Sequence, residues 1–291
     1  SVGQVITPAG FGSGTLIANQ YVLTAAHVVD RSSFASFTID GVSFGASDII
    51  VHPKWKGSVN RSAGYDIALV RLTENVTAAT GIKPAKLNRK KRPLKETALT
   101  AGYGLGGNGR KGTKPGTSEK RAGYNTVDRI VDGGRILLTD FDDPRGREPN
   151  ALGDDRAVRF ESIVAPGDSG GGLFVKKGKQ WRLAGVHSYA SAYDGSIDSD
   201  YGDLAGHVNV ARHVNWIERN IRKASRLDAG DLSILPAFSA LDAFDADSSL
   251  ALSGIAPLTL PAATLTIPEP AAPAALVAAL GLIAARRRRP A

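Results

Sequence analysis

A chain of 291 residues with 42% hydrophobic and 22% charged residues is long enough to build one large or two small cores. That composition excludes a collagen, a globally disordered chain and a polytopic membrane protein. The absence of cysteine excludes disulfides, zinc–thiolate sites and a cysteine nucleophile together. The net charge of +8 falls to +4 without the segment from Ala271 onward, because Lys+Arg drops from 36 to 32 against 28 acids. The remaining basic run, Arg89-Lys-Lys-Arg92, lacks interleaved aromatics, so no nucleic-acid partner is expected. The chain also contains no methionine, which implies a start that was processed or trimmed.

From Ser1 to about Ala224, short apolar runs alternate with Gly, Asn, Asp and Pro roughly every ten residues, the pattern of an all-β domain. Thr15–Ala18 and Tyr21–Thr24 flank Asn19-Gln20 as a hairpin, and Ile67–Leu72, Ala98–Gly102 and Arg182–Val186 read as further strands. One helical pattern stands out at 212–224, where Val214, Ile217 and Ile221 recur at helical spacing. Strands closed by a single helix argue against a parallel α/β sheet.

Residues 226–267 are rich in Ala, Leu, Ser, Asp and Pro and read as a linker. Pro268-Glu-Pro270 then precedes an uncharged stretch, Ala271 to Ala285, and four arginines, Arg286 to Arg289. Fifteen helical residues reach about 22 Å, short of a ~30 Å hydrocarbon core, so spanning requires the arginines to snorkel. A merely Ala-rich tail is the alternative.

Three blocks carry chemistry. Gly167-Asp-Ser-Gly-Gly171 sets Ser169 among glycines, where a sharp turn can expose the hydroxyl and aim the N–H groups of Gly167 and Ser169 at a developing oxyanion. By itself the block also fits the nucleophile elbow of α/β-hydrolases. His27 ends the run Leu23-Thr-Ala-Ala-His27, and its small neighbours leave room for an imidazole acting as base; an isolated histidine is more often structural. Asp66 stands before the apolar strand Ile67–Val70, a costly place for a carboxylate unless it meets a partner such as a histidine N–H. A turn aspartate is its plain alternative.

Together, Thr24–His27, Asp66–Leu69 and Gly167–Gly171 resemble the signature blocks of trypsin-like serine proteases, in that family's order of His, Asp and Ser. Gly102-Tyr-Gly104, Gly185–Ser188 and Val214–Ile217 extend the resemblance over residues 1–225. It implies two six-stranded antiparallel barrels packed face to face, about 1–95 and 96–211, with a helix at 212–224. It also implies a serine endopeptidase with catalytic His27, Asp66 and Ser169, an oxyanion hole at Gly167 and Ser169, no cofactor or metal, and a polypeptide substrate. A surface protein that binds without turnover, or an esterase on the same fold, are the rivals. The family's disulfides are absent, and Gly172 stands where proline is usual. No Ile-Val-Gly-Gly-like start is present to pair with Asp168.

The resemblance places Ile163 and Val164 at the floor of the substrate pocket, with His187, Ser188, Tyr189 and Ala190 on its wall. With no acid at the floor, the expected preference is an apolar residue before the cut; glutamate is the alternative if His187 faces the pocket. The tail over 268–291 resembles the PEP-CTERM sorting signal of bacteria. It implies an exported monomer in transient inner-membrane contact, a processing enzyme of the exosortase type, cleavage near Pro268-Glu-Pro270 and delivery to the cell surface or matrix. The sequons Asn60-Arg-Ser62 and Asn75-Val-Thr77 carry little weight beside a tail that resembles a bacterial sorting signal. Asp140, Asp142 and Asp143, and Asp198, Asp200 and Asp203, are expected as acidic surface turns rather than calcium sites.

Overall fold

The computed structural model describes residues 1–230 apart from 117, 148, 149, 154, 155 and 193. The expected linker beyond residue 230 and the sorting signal at 268–291 lie outside the described residues. In chain order the elements are β1 (Val2–Thr7), β2 (Gly10–Ala18), β3 (Tyr21–Thr24), α1 (Ala26–Val29), β4 (Ser36–Ile39), β5 (Val42–Val51), β6 (Ala68–Leu72) and α2 (Val76–Thr80). They continue with β7 (Lys86–Leu87), β8 (Thr97–Gly102), the short pair β9 (Gly107–Asn108) and β10 (Gly112–Thr113), β11 (Arg121–Thr126), β12 (Arg129–Val131) and β13 (Ile136–Asp140). β14 (Gly172–Lys177), β15 (Gln180–Ser191), β16 (Leu204–Asn209) and α3 (Val214–Asp228) complete the set.

The first six strands close into an antiparallel barrel in the order β1-β2-β3-β6-β5-β4. Side chains alternate across a strand, and both faces of β3 and β6 are buried. Val22, Ala68, Val70 and Leu72 point into the barrel with Phe37, Ile39 and Phe44. Leu23 and Leu69, with Ile67 just ahead of β6, point outward and pack with Val186, Val208 and Ile217 from the second half. Burying a side chain of this size stabilises by about 1.5–3 kcal/mol, so this apolar seam holds the two halves together.

The second half departs from the expected closed barrel. It is an eight-stranded sheet in the order β11-β8-β14-β15-β16-β13-β12, with β7 added in parallel to β15. Its two end strands are halves of one bent stretch. β11 bonds β8, the chain kinks at Val127 and Asp128, and β12 bonds β13, so no ladder joins the ends. Helix α3 begins two residues after the expected position and continues to Asp228, with Val214 and Ile217 buried.

The acids near residue 140 are also not surface turns. Asp140, Asp142 and Asp143 are at most 7% exposed. Asp140 Oδ2 accepts from Leu152 N at 2.8 Å, and Asp143 accepts from Arg145 N and Arg147 N. The burial of Asp140 and Asp143 is compensated by the backbone donors of an irregular loop.

Candidate active site

Asp66 has a fully buried side chain, and three donors converge on its carboxylate. His27 Nδ1 lies 2.7 Å from Oδ2, the His27 backbone N–H reaches Oδ1 at 2.9 Å, and Ser188 Oγ donates to Oδ2 at 2.6 Å. A carboxylate accepts only, so Nδ1 carries the proton and Nε2 is left with a lone pair. The imidazole is 11% exposed and stands one residue inside α1. Two local features fix this meeting. β3 and β6 pair in register, with Thr24 opposite Ala68, so the residues beyond their ends face one another. The short turn of α1 then presents both the ring and the backbone N–H of His27 to Asp66.

The Ser169 turn is clamped from three sides. Ser13 N donates to Ser169 O at 2.7 Å, Ser13 Oγ donates to Gly167 O at 2.9 Å, and Gly170 N donates to His187 O at 2.8 Å. Gly170 has φ +83°, and a β-carbon there would run into Thr24 Oγ1 and the Ser13 carbonyl, so glycine is required. This contact sets the Ser169 turn against the end of β3, three residues before His27. Among the described residues, the N–H groups of Gly167 and Ser169 donate to nothing, whereas those of Asp168, Gly170 and Gly171 all have backbone acceptors. Two such donors beside a serine hydroxyl are what a developing oxyanion requires. Asp168 faces away from Ser169, and its carboxylate accepts from Gly104 N at 2.7 Å and Ala165 N at 2.9 Å. Burial pushes its pKa up, against the pull of those two N–H groups and of Arg121.

A cavity of about 240 Å³ opens beside Ser169, with Val164, Ser188, Tyr189 and Ala190 in its wall. Ile163 is not part of it. Its place is a second cavity of about 380 Å³ behind Asp168, lined by Gly102, Gly104 and Gly106. His187 touches the Ser169 cavity but is 1% exposed, and its Nδ1 sits 2.8 Å from His207 Nδ1. Burial pushes its pKa down to about 3, so it presents no positive charge at neutral pH. β14 pairs with β15 only as far as Val186, so among the described residues one edge of β15 has no partner strand from Ser188 to Ser191.

Asp198, Asp200 and Asp203 place one carboxylate oxygen each within 4.8 Å of one another. Burial, then its acidic neighbours, pushes Asp200 up to about 6. Asp203 is 1% exposed and accepts from Ser199 N at 2.8 Å, so it belongs to the folded loop rather than to the surface. Two features of the site had no expectation in the sequence. One is the Ser188 hydroxyl bound to Asp66, and the other is Arg61, which the short 3₁₀ segment Ser58–Ala63 brings to the cavity wall. Only their positions in space reveal them.

Residues 3–217 match the family model described as Trypsin. The chain is 27% identical over 244 residues to phenoloxidase-activating factor 3 of Holotrichia diomphalia, covering 72% of this chain and 63% of that protein. It is 46% identical over 74 residues to chymotrypsin-like elastase family member 1 of Canis lupus familiaris, covering 22% of this chain and 28% of that one. It is 26% identical over 232 residues to serine protease SSP1 of Scolopendra subspinipes, covering 72% of each. The chain thus spans less than two thirds of the length of the first two relatives. A solved structure titled HL collagenase shares the fold with a TM-score of 0.55 and 19% identity, covering 76% of this chain and 92% of that one.

Proposed function

The chain belongs to the trypsin family of serine proteases, and from that premise we propose that it is a serine endopeptidase working through His27, Asp66 and Ser169. The observation that carries this reading is the Asp66 carboxylate at 2.7 Å from His27 Nδ1, which leaves Nε2 free to act as a base. Ser169 Oγ attacks the peptide carbonyl carbon while its proton passes to His27 Nε2. The oxyanion is held by the N–H groups of Gly167 and Ser169. Collapse breaks the C–N bond, the leaving amine takes the proton from His27, and water repeats the sequence on the acyl-enzyme. Asp66 orients the ring and stabilises the imidazolium.

The substrate lies as an added strand along the free edge of β15 from Ser188 to Ser191. The residue before the cut enters the cavity against Val164, Tyr189 and Ala190. An apolar side chain suits that wall, and a neutral His187 offers glutamate no counter-charge. Turnover of peptide amides with an apolar residue before the cut tests the reading. It should fall by about 10⁶-fold in Ser169→Ala. Ester turnover without amide turnover selects the esterase, and binding without turnover of either selects the non-enzymatic rival.

The proposal extends to export and sorting. Its support is the order of Pro268-Glu-Pro270, an uncharged stretch and Arg286 to Arg289. Protein recovered from the native host's surface should have lost those arginines by intact mass. Mature surface protein that retains them refutes the sorting.

A further inference from the structure

We propose that Arg61 makes this protein select peptides with an Asp or Glu side chain between the second and fourth residue before the cut. The inference rests on the endopeptidase reading and names a feature of its substrate.

Arg61 shares the wall of the 240 Å³ cavity with Ser169, Ser188, Tyr189 and Ala190. Among the described residues it is the only lining residue that is charged at neutral pH, since burial keeps His187 neutral. Among the described residues, no carboxylate forms an ion pair with Arg61. Its Nε is shut off from water and has no hydrogen-bond partner. Among the described residues, the one hydrogen bond of its side chain is a long contact of 3.4 Å from Nη2 to Ser58 Oγ. A guanidinium offers five donors, and leaving them unmatched while partly desolvated is costly. A carboxylate would satisfy them in a bidentate fork.

The backbone beneath Arg61 is held in place. Ala63 O accepts from Arg135 Nε at 3.0 Å, and Gly64 O receives the buried His213 Nε2 at 2.9 Å. The same stretch leads two residues later into Asp66, so Arg61 is fixed relative to the catalytic centre. Position then decides which part of the substrate it meets. The residue before the cut occupies the pocket beside Val164, and the chain upstream of it runs along Ser188–Ser191. Arg61 and Tyr189 line the same cavity, so a side chain upstream of the cut that lies over Tyr189 comes within reach of the guanidinium. Ile197 and Ser199 also line the cavity, and between them in the chain stands Asp198, whose carboxylate gathers with those of Asp200 and Asp203.

The test uses quenched fluorescent peptides with a fixed apolar residue before the cut and Glu, Gln or Lys at each of the three upstream positions. The ratio of kcat/KM for Glu over Gln is read within each protein, so a change in overall activity cancels. At low salt the parent should prefer Glu by about tenfold at one of these positions, and 0.5 M salt should shrink the preference. Arg61→Gln should bring the ratio to about one, and Arg61→Glu should shift the preference to Lys. A parent that cuts these peptides without discriminating, or variants that keep the parental ratio, overturn the inference and leave the endopeptidase reading standing. A folded parent that cuts none of them and takes no fluorophosphonate on Ser169 overturns that reading, and this inference with it.

Discussion

Replacing Asp66 by asparagine should disable the base without unfolding the protein. Both Ser188 Oγ and His27 Nδ1 approach Oδ2, while the His27 backbone N–H approaches Oδ1. An amide placed with its oxygen at Oδ2 would turn its NH₂ toward the His27 N–H, a buried donor facing a donor, at a cost of about 1–3 kcal/mol. The reverse placement satisfies every group. Oxygen meets the backbone N–H, one NH₂ proton goes to Nδ1, and the Ser188 hydroxyl rotates to accept the other. The second arrangement wins, and it forces the proton onto Nε2, where it blocks transfer from Ser169. The variant also loses the anion that stabilises the imidazolium, about 4 kcal/mol for charges about 4 Å apart at an effective dielectric constant of about 20. Together the two effects amount to about 5–7 kcal/mol, a loss of kcat of about 10⁴-fold or more. The assay is kcat on a peptide amide with thermal melting alongside. A correctly folded variant that keeps kcat within tenfold of the parent refutes the reasoning.

The protein should lose stability steeply on acidification. Burial pushes His52 and His213 down to about 4 and His187 to about 3, with His207 well below its ordinary value. Because the unfolded histidines bind protons first, their stabilising effect is complete above about pH 6.5 and is lost as pH falls toward 4, at about 2 kcal/mol each by pH 5. Glu161, pushed up to about 7 by burial, acts in the opposite sense and offsets part of this loss. A urea midpoint that stays flat between pH 8 and 5 would contradict it. Gly170→Ala should lower stability by about 3 kcal/mol through left-handed backbone strain and the collision with Thr24 and Ser13, and should displace Ser169. Parental melting together with parental probe labelling would contradict that.

What the sequence disclosed was local. The small residues before His27, the carboxylate at the start of an apolar strand and the glycines around Ser169 each announce their geometry within a few positions. So do the alternation that turns Leu69 outward and Val70 inward, and the helical spacing of Val214, Ile217 and Ile221. What stayed hidden depended on partners distant in the chain. Closure of the second sheet turns on how one bent stretch divides its bonds between β8 and β13, which no run of residues encodes. Asp140 and Asp143 look like surface acids until loop backbone donors are folded onto them. Ser188 reaches Asp66 across 122 positions. His187 resembles a pocket residue in sequence, and only its burial in the fold keeps its ring neutral.

The central claim is that Ser169 is an activated nucleophile, and the most direct measurement is fluorophosphonate labelling followed by peptide mass mapping. A single adduct on the peptide containing Ser169, absent from Ser169→Ala and strongly slowed in Asp66→Asn, is the predicted result. A folded protein that takes no adduct, or an adduct that persists undiminished in Ser169→Ala, would contradict it.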